Sequence, residues 1–425
     1  MGQQEPQRSG MSRRNLLTAA GTGGAGLALG ALGYAALGRQ PADASTTKEA
    51  VVDCFGEHQA GITTAAQERM HLAVFDVTAT DRAELVDLLT KWSTAIASLT
   101  RGEPIGAGGA LNGGYDAPPE DTGEALDLSA ANLTVTVGFG RSLFVDAEGR
   151  DRFGLRAKLP EALIELPHFA GDMLESQRTG GDIVVQACAD DPQVAVHAIR
   201  NLARIGFGAV RVRSSQIGFG RTAKTTTSQR TPRNLFGFKD GTANILAEDH
   251  QALNEHVWVA DGDQPWLEGG TYMVTRRIRM HIETWDRSPL GEQEQIVGRT
   301  KGTGAPLSGG DEFSAPDFSL QGSNGPLIPA DSHVAVVHPQ QHDGARILRR
   351  GFNYTDGSDD LGRLDAGLFF IAFLRDARTH FVPLQRAMSA RDAMTEYLRT
   401  NGSGLFAIPP GFGQGGYLGQ QLFES

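Results

Sequence analysis

The apolar positions in the first half of the chain predict four β-strands and two helices. Stretches that alternate between apolar and polar residues, or run apolar with many β-branched members, are typical of strands. Apolar residues spaced by three and four, or a stretch that begins at proline and ends at glycine, are typical of helices. These patterns predict strands at residues 70–77, 133–138, 182–189 and 209–218, and helices at 80–99 and 192–206.

The order of these elements predicts the fold class. A β-α-β-β-α-β succession is that of a ferredoxin-like unit, whose helices pack on an antiparallel sheet. The second half repeats the rhythm, with strands expected at 270–283, 333–337, 346–354 and 368–375 and helices at 290–299 and 383–398. We therefore expect an α+β protein of two ferredoxin-like domains, of the dimeric α+β barrel type.

Segments without apolar periodicity give the expected boundaries and loops. Thr and Arg cluster at residues 222–232, so we place a domain at 45–225 and a second at 226–425. Residues 106–123 are expected to form a surface insertion. The Gly- and Ser-rich residues 304–324 are expected to form a long loop, and long loops in compact domains are usually functional or disordered.

The composition narrows the function classes. Apolar residues make up 40% and charged residues 21% of the 425, which is typical of a folded protein and not of a disordered or multi-span membrane chain. The net charge of −11 leaves no broad cationic field, so no nucleic-acid partner is expected. Only two cysteines are present, which excludes a disulfide scaffold, and we expect Cys54 and Cys188 to be unpaired.

The first forty-four residues have the features of an export signal. Arg13 and Arg14 precede leucines in a twin-arginine pattern, a mildly apolar stretch follows, and Ala42-Asp43-Ala44 is a small-x-small cleavage site. We expect residues 1–44 to be removed and the mature protein to be extracellular, periplasmic or associated with the cell envelope. An uncleaved membrane anchor is the alternative. Because the twin-arginine machinery exports folded proteins, a prosthetic group inserted before export is expected.

Asp240 is the first candidate for chemistry. An Asp-Gly pair is by itself an ordinary turn. Here Phe236 and Phe238 closely precede the carboxylate and could remove water from it, which would suit an acid or base that moves protons.

Histidines and arginines in the second half are further candidates. His333 and His338 bound a predicted strand at an odd interval, so they should face opposite sides and not share one metal. A lone histidine is usually structural, although imidazole is also a common axial ligand of haem iron. His338 with His342 has helical metal-ligand spacing. Arg346, Arg349 and Arg350 are either solvent-facing strand residues or, if one points inward, a cation for a bound anion or peroxide.

These residues resemble a known family. Residues 234–242, Asn-Leu-Phe-Gly-Phe-Lys-Asp-Gly-Thr, are similar to the Gly-x-x-Asp-Gly motif of the dye-decolourising (DyP-type) haem peroxidases. Residues 57–62, 186–202, 269–280 and 346–354 also resemble that family, so the likeness covers nearly the whole mature chain. The signal segment is similar to that of the secreted deferrochelatase/peroxidase subgroup.

The resemblance implies one haem b per chain, held mainly by the second domain. His333 would be the iron ligand, Asp240 would move a proton between the two oxygens of hydrogen peroxide, and Arg349 would stabilise negative charge as they separate. Residues along the haem edge would be Gly241, Thr242 and Ala243, and the segment approaching the propionates would be His338, Pro339 and Gln340. In that subgroup the corresponding segment resembles Asn-Pro-Arg. This chain has His338 and Gln340 in place of the asparagine and the arginine, so it lacks the arginine that would contact a propionate.

The expected function is a peroxidase that uses hydrogen peroxide to oxidise an organic reducing substrate such as a bulky phenol or dye. Three alternatives remain: a deferrochelatase that releases iron from intact porphyrin, a secreted haem-binding protein without catalysis, and a ferredoxin-like regulatory module without a cofactor. Large donors could be oxidised through a surface radical, for which the candidates are Trp92, Trp258, Trp266, Trp285 and the tyrosines of the mature chain. A homo-oligomer is plausible, because ferredoxin-like sheets leave edges and faces to cover.

Overall fold

The computed structural model describes residues 51–260, 262–323 and 325–424. The expected export signal, residues 1–44, lies outside them. Strands of the described residues are β1 Arg69–Val77, β2 Thr134–Gly140, β3 Ile183–Ala189, β4 Val210–Arg221, β5 Thr271–Met280, β6 Gln321–Gly322, β7 Gly325–Pro326, β8 Leu348–Arg349, β9 Phe352–Ser358, β10 Leu364–Leu374 and β11 Leu398–Ile408.

Helices connect and cover these strands. The α-helices of the described residues are α1 Arg82–Leu99, α2 Arg141–Phe144, α3 Pro192–Ile205, α4 His250–His256, α5 Ile282–Trp285, α6 Leu290–Val297, α7 His333–Val336, α8 Val382–Arg391 and α9 Gln420–Glu424. The chain also forms 3₁₀ turns at Pro339–Gln341 and Ala393–Tyr397 and a π-helical turn at Ala377–Phe381.

The long strands form one closed antiparallel sheet made of two similar halves. The first half has the order β2-β3-β1-β4, and the second half has β9-β10-β5-β11. In both, the strands lie in the order second, third, first, fourth, which is that of a ferredoxin-like unit. Pairing of β4 with β9 and of β11 with β2 joins the halves into a barrel. The predicted α+β fold of two ferredoxin-like domains is confirmed, while the boundary at residues 225–226 stays a prediction.

Closure of the sheet changes one expectation. Each of the eight long strands has a partner on both sides, although the β4–β9 and β11–β2 ladders contain only two residue pairs each. Among these eight, no strand has a wholly unpaired edge, and the homo-oligomer stays a prediction.

Local sequence explains the two long helices of the first half. Asp81 precedes α1 and accepts hydrogen bonds from the amides of Ala83 (2.8 Å) and Glu84 (3.0 Å). Asp191 does the same for α3, whose first residue is Pro192. Such caps satisfy amides that have no partner within a helix.

Burial on both faces explains why the strands read as apolar runs. On β1, Met70, Leu72 and Val74 belong to one buried cluster, together with residues of β5, β9 and β10. The alternating residues Ala73 and Phe75 belong to a second cluster that includes the apolar faces of α1 and α3. Cys54 and Cys188 are both buried and free, as expected.

In the second half, two sequence-based assignments were wrong and one strand was missed. Residues 333–337 were expected to be a strand, but they contain α7, in which the amide of Val337 bonds to the carbonyl of His333 (3.0 Å). The apolar residues 334–337 pair with no strand of the described sheets. The helix predicted at 383–398 ends at Arg391, and Asp392 starts a 3₁₀ turn. Strand β11 was missed because Asn401, Gly402 and Ser403 interrupt its apolar pattern.

The expected loop at residues 106–123 is confirmed, since this segment contains no helix or strand. In the expected loop at 304–324, the chain makes only turns and one isolated bridge, between Pro306 and Arg299, as far as residue 320, but the short strand β6 lies in its last part. Across the described parts of the chain, no helix is both long and apolar enough to cross a membrane.

His71 gives the fold a pH dependence. It is buried on β1, its Nε2 lies 3.2 Å from Ser215 Oγ, and its Nδ1 has no partner. Burial lowers the pKa of His71 to about 4. Between pH 6.5 and 4 the unfolded chain binds a proton that the native chain does not, so stability falls as pH falls through this window.

We expect the thermal midpoint of His71→Gln to fall less than that of the wild type between pH 6.5 and pH 4, because that proton linkage is removed. The difference corresponds to at most about 3 kcal/mol. Replacing exposed His168 by Gln is the control. Parallel pH profiles for the wild type and His71→Gln would contradict the prediction.

Candidate active site

Asp240 and Arg349 form an ion pair at the junction of the two halves. Asp240 follows the turn at residues 234–237, and Arg349 lies on β8, which pairs with β10. Arg349 Nη1 donates to Asp240 Oδ1 (2.8 Å), and Asn234 Nδ2 donates to Asp240 Oδ2 (3.1 Å). The two side chains of the pair remain 15% and 28% exposed, so a small molecule can reach them.

Gly241, next to Asp240, allows the chain to pass close to the backbone of Ala223. Its φ is +81°, and a Cβ there would lie 2.7 Å from the Cα of Ala223. A side chain is excluded by both conformation and space. The position of Asp240 therefore depends on the Asp-Gly sequence.

His333 is held by a carboxylate. Its Nδ1 lies 2.7 Å from Oδ2 of Asp392, whose side chain is fully buried. Burial alone lowers the pKa of His333, but the charge and hydrogen bond of Asp392 raise it above its ordinary value. The carboxylate fixes the Nδ1–H tautomer, so the lone pair of Nε2 is available to a metal.

Asp240, Arg349 and His333 influence one another electrostatically. The charge of Asp240 raises the pKa of His333 and the charge of Arg349 lowers it, so both side chains lie within electrostatic range of the imidazole. Among the described residues, no group of three or more His, Cys, Asp or Glu could hold a metal ion. A single imidazole with a free Nε2 suits an iron whose other ligands a porphyrin supplies.

Comparisons with known proteins agree with this arrangement. Residues 59–220 match the family model "Dyp-type peroxidase, N-terminal", and residues 231–412 match "Dyp-type peroxidase, C-terminal". The chain belongs to the DyP-type peroxidase family. It is a haem-dependent enzyme, with haem as its cofactor.

Individual relatives support the same conclusion. A deferrochelatase of Yersinia pseudotuberculosis is 36% identical, with 97% of this chain and 95% of the relative covered. An oxyferrous complex of DtpA from Streptomyces lividans has a TM-score of 0.80 at 39% identity, with 88% of this chain and 98% of that chain covered. A DyP-type peroxidase from Streptomyces coelicolor gives 0.80 and 39%, with coverages of 89% and 98%.

The residues of this DyP-type peroxidase fit a haem. His333 offers a nitrogen ligand, and the partly exposed Asp240 and Arg349 offer a carboxylate and a cation nearby. Thr242 donates to Glu312 Oε1 (3.3 Å), and Ala243 is exposed. The sequence-predicted residues of the haem edge therefore adjoin the ion pair.

The segment expected near the propionates is a 3₁₀ turn in which His338 and Pro339 are half-buried and Gln340 is exposed. His338 Nδ1 accepts a hydrogen bond from the amide of Gln340 (3.4 Å), and its ring meets Phe318 edge-on at 5.1 Å. Burial lowers the pKa of His338. His342 does not join it in a metal site, since His342 Nε2 lies 2.7 Å from the carbonyl of Val336.

The phenylalanines before Asp240 pack on a tryptophan, and the tryptophans expected as surface radical sites are not at the surface. The ring of Phe236 stacks on Trp285 at 4.2 Å, and Phe238 meets the same ring at 5.9 Å. Both phenylalanines thus belong to an apolar cluster with Trp285. All four tryptophans proposed as surface radical sites are buried: Trp92, Trp258, Trp266 and Trp285.

Sequence reasoning missed Asn244, which positions Arg349. Its Oδ1 accepts from the amide of Arg349 (2.7 Å), and its Nδ2 donates to the carbonyls of Arg349 (2.9 Å) and Lys224 (2.8 Å). Asn244 follows Asp240 by four residues, but no local pattern shows that its partner is a strand over a hundred residues later.

We expect Asn244→Ala to slow the reaction with peroxide, because Arg349 loses its fixed position. Three backbone groups lose partners, at about 1–3 kcal/mol for each one left unsatisfied. A double-mutant cycle with Arg349→Leu separates positioning from general destabilisation: the Asn244→Ala loss in rate should vanish when Arg349 is absent. Additive losses would show that Asn244 does not act through Arg349.

Proposed function

We propose that this DyP-type peroxidase uses hydrogen peroxide to oxidise bulky phenolic or dye-like donors, with Asp240 and Arg349 as its catalytic residues and His333 as the iron ligand. The observation that carries the proposal is the 2.8 Å contact between Arg349 Nη1 and Asp240 Oδ1 within electrostatic range of His333. When bound, haem would pass electrons from the organic donor to hydrogen peroxide, so that the donor is oxidised and the peroxide is reduced to water.

Asp240 would move the proton. An ionised carboxylate has four lone pairs, and among the described residues each oxygen of Asp240 accepts one hydrogen bond, from Arg349 and from Asn234. Asp240 can therefore accept a proton from one peroxide oxygen and return it to the other, which leaves as water.

Arg349 would stabilise negative charge while the O–O bond breaks. Its guanidinium is fixed by Asp240 and, through the backbone, by Asn244. Asp392 would orient His333 and make its Nε2 a better electron donor to the iron.

A second candidate function is release of iron from haem with the porphyrin left intact. The 36% identity to deferrochelatase relatives over 97% of the chain favours it. Product analysis separates the two. Incubation with peroxide and a phenolic donor should give oxidised donor while the haem spectrum returns. Iron-free porphyrin accumulating in place of oxidised donor would favour iron release.

We further propose that the protein is exported by the twin-arginine machinery. Support comes from the paired Arg13 and Arg14, the apolar stretch and the cleavage site ending at Ala44. Replacing both arginines by lysine should trap the unprocessed chain in the cytoplasm, as fractionation and N-terminal sequencing would show. Unchanged export and processing would overturn the proposal.

A further inference from the structure

Lys224 is a buried cation beside the active site. It is only 9% exposed, and among the described residues its ammonium has neither a carboxylate nor a hydrogen-bond partner. Burying a charge is costly unless an opposite charge or hydrogen bonds compensate it. A position of this kind favours an anionic ligand.

Contacts of its backbone place Lys224 at the site. Its carbonyl accepts from Nδ2 of Asn244 (2.8 Å), the residue that also holds Arg349. Its amide lies 3.3 Å from where a Cβ of Gly241 would be. Lys224 is thus packed between the residue after Asp240 and the residue that positions Arg349.

Phe313 covers the ammonium. Nζ of Lys224 lies 4.4 Å from the centre of the Phe313 ring, which is itself 63% exposed. A cation over an aromatic face is favourable, but the contact leaves the charge un-neutralised. The other side of the ammonium can therefore accept an anion.

Neighbouring carboxylates are already engaged. Glu312, next to Phe313, bonds to Lys239 and Thr242. Asp240 pairs with Arg349, and Asp249 lies 3.7 Å from Arg346. Lys239, Arg349 and Arg346 thus have acidic partners within the protein, whereas Lys224 has none among the described residues.

The loop that carries Phe313 also reaches His338. Phe318 contacts the His338 ring five residues after Phe313 contacts Lys224. Five residues span at most about 18 Å. One short loop therefore borders both the Lys224 ammonium and the turn at residues 338–341, in which no arginine or lysine is present.

We propose that Lys224 binds a carboxylate of the bound cofactor, a haem propionate, through the side of its ammonium that Phe313 leaves free. The inference rests on the proposed haem site at His333. It assigns to Lys224 the charge compensation that Gln340 cannot provide.

Haem loss from the purified full-length holoenzyme to an excess of a haem-scavenging globin tests this. Lys224→Met should lose haem at least about tenfold faster than the wild type, since a charge-assisted hydrogen bond is removed. Lys224→Arg should lose haem at a rate close to that of the wild type. Lys301→Met is the matched control, because Lys301 also lies over a phenylalanine, Phe238, but bonds to Gln293.

Reconstitution with haem dimethyl ester identifies the group that Lys224 binds. With the ester, Lys224→Met and the wild type should lose the cofactor at similar rates. Equal rates with ordinary haem, in variants whose thermal midpoints match the wild type, would overturn the proposal. The proposal would also be overturned if Lys224→Met left the rate of haem loss unaffected but changed the KM for a carboxylate-bearing donor and not for its neutral ester. A wild type that binds no haem would instead refute the haem site itself.

Discussion

Asp240→Asn should slow the peroxide-driven change of the haem spectrum by about 10²–10⁴-fold, the usual range for loss of a general acid–base group. An amide of the same shape can still accept the hydrogen bond from Arg349, but it cannot take a proton from peroxide. Haem content should stay near that of the wild type, because Asp240 has no contact with His333 other than through its charge. Stopped-flow absorbance at several peroxide concentrations measures the rate constant.

Asp249→Asn provides the matched control. Asp249 is a nearby carboxylate that lies 3.7 Å from Arg346 and caps α4, and asparagine also caps helices well. Its peroxide rate should equal that of the wild type. If Asp240→Asn reacted with peroxide at the wild-type rate, Asp240 would not be the proton carrier.

Asp392→Asn should weaken haem retention or slow the peroxide reaction by about 10–100-fold, the usual effect of removing a partner of a metal-bound histidine. The neutral amide no longer favours the Nδ1–H tautomer or the electron-rich imidazole that the buried carboxylate maintains. The reduction potential of the iron should rise, a readout that simple loosening of the fold would not produce.

Asp331→Asn is the control for this variant. Asp331 is exposed and lies two residues before His333, and its backbone carbonyl binds the amide of Ala393. It should leave the potential unchanged. A wild-type potential and wild-type haem retention in Asp392→Asn would mean that the 2.7 Å contact does not tune the ligand.

Local patterns were sufficient for most of the fold. The elements of the first half follow from apolar periodicity and from caps such as Asp81 and Asp191, which act within a few residues. The strand pairs that close the expected barrel could not be predicted, because pairing of β11 with β2 joins residues far apart in sequence. The apolar run after His333 was wrongly predicted to be a strand, because strand formation depends on a neighbouring strand that the sequence does not show.

The same contrast between local and long-range information explains why only part of the site was predicted. Asp240, His333 and Arg349 lie in motifs that resemble a family, so their residue types could be recognised locally. Asp392 is 59 residues from His333, and Asn244 is 105 residues from Arg349. Only tertiary packing shows these partners. Lys224 was missed because its environment, not its sequence context, makes it unusual.

The most direct test of the account is the ultraviolet-visible spectrum of the purified protein before and after one equivalent of hydrogen peroxide, with His333→Ala measured alongside. We expect a Soret band that changes with peroxide in the wild type and is lost or displaced in the variant. Absence of a Soret band in the wild type, or a band indifferent both to peroxide and to the loss of His333, would contradict a histidine-ligated haem peroxidase.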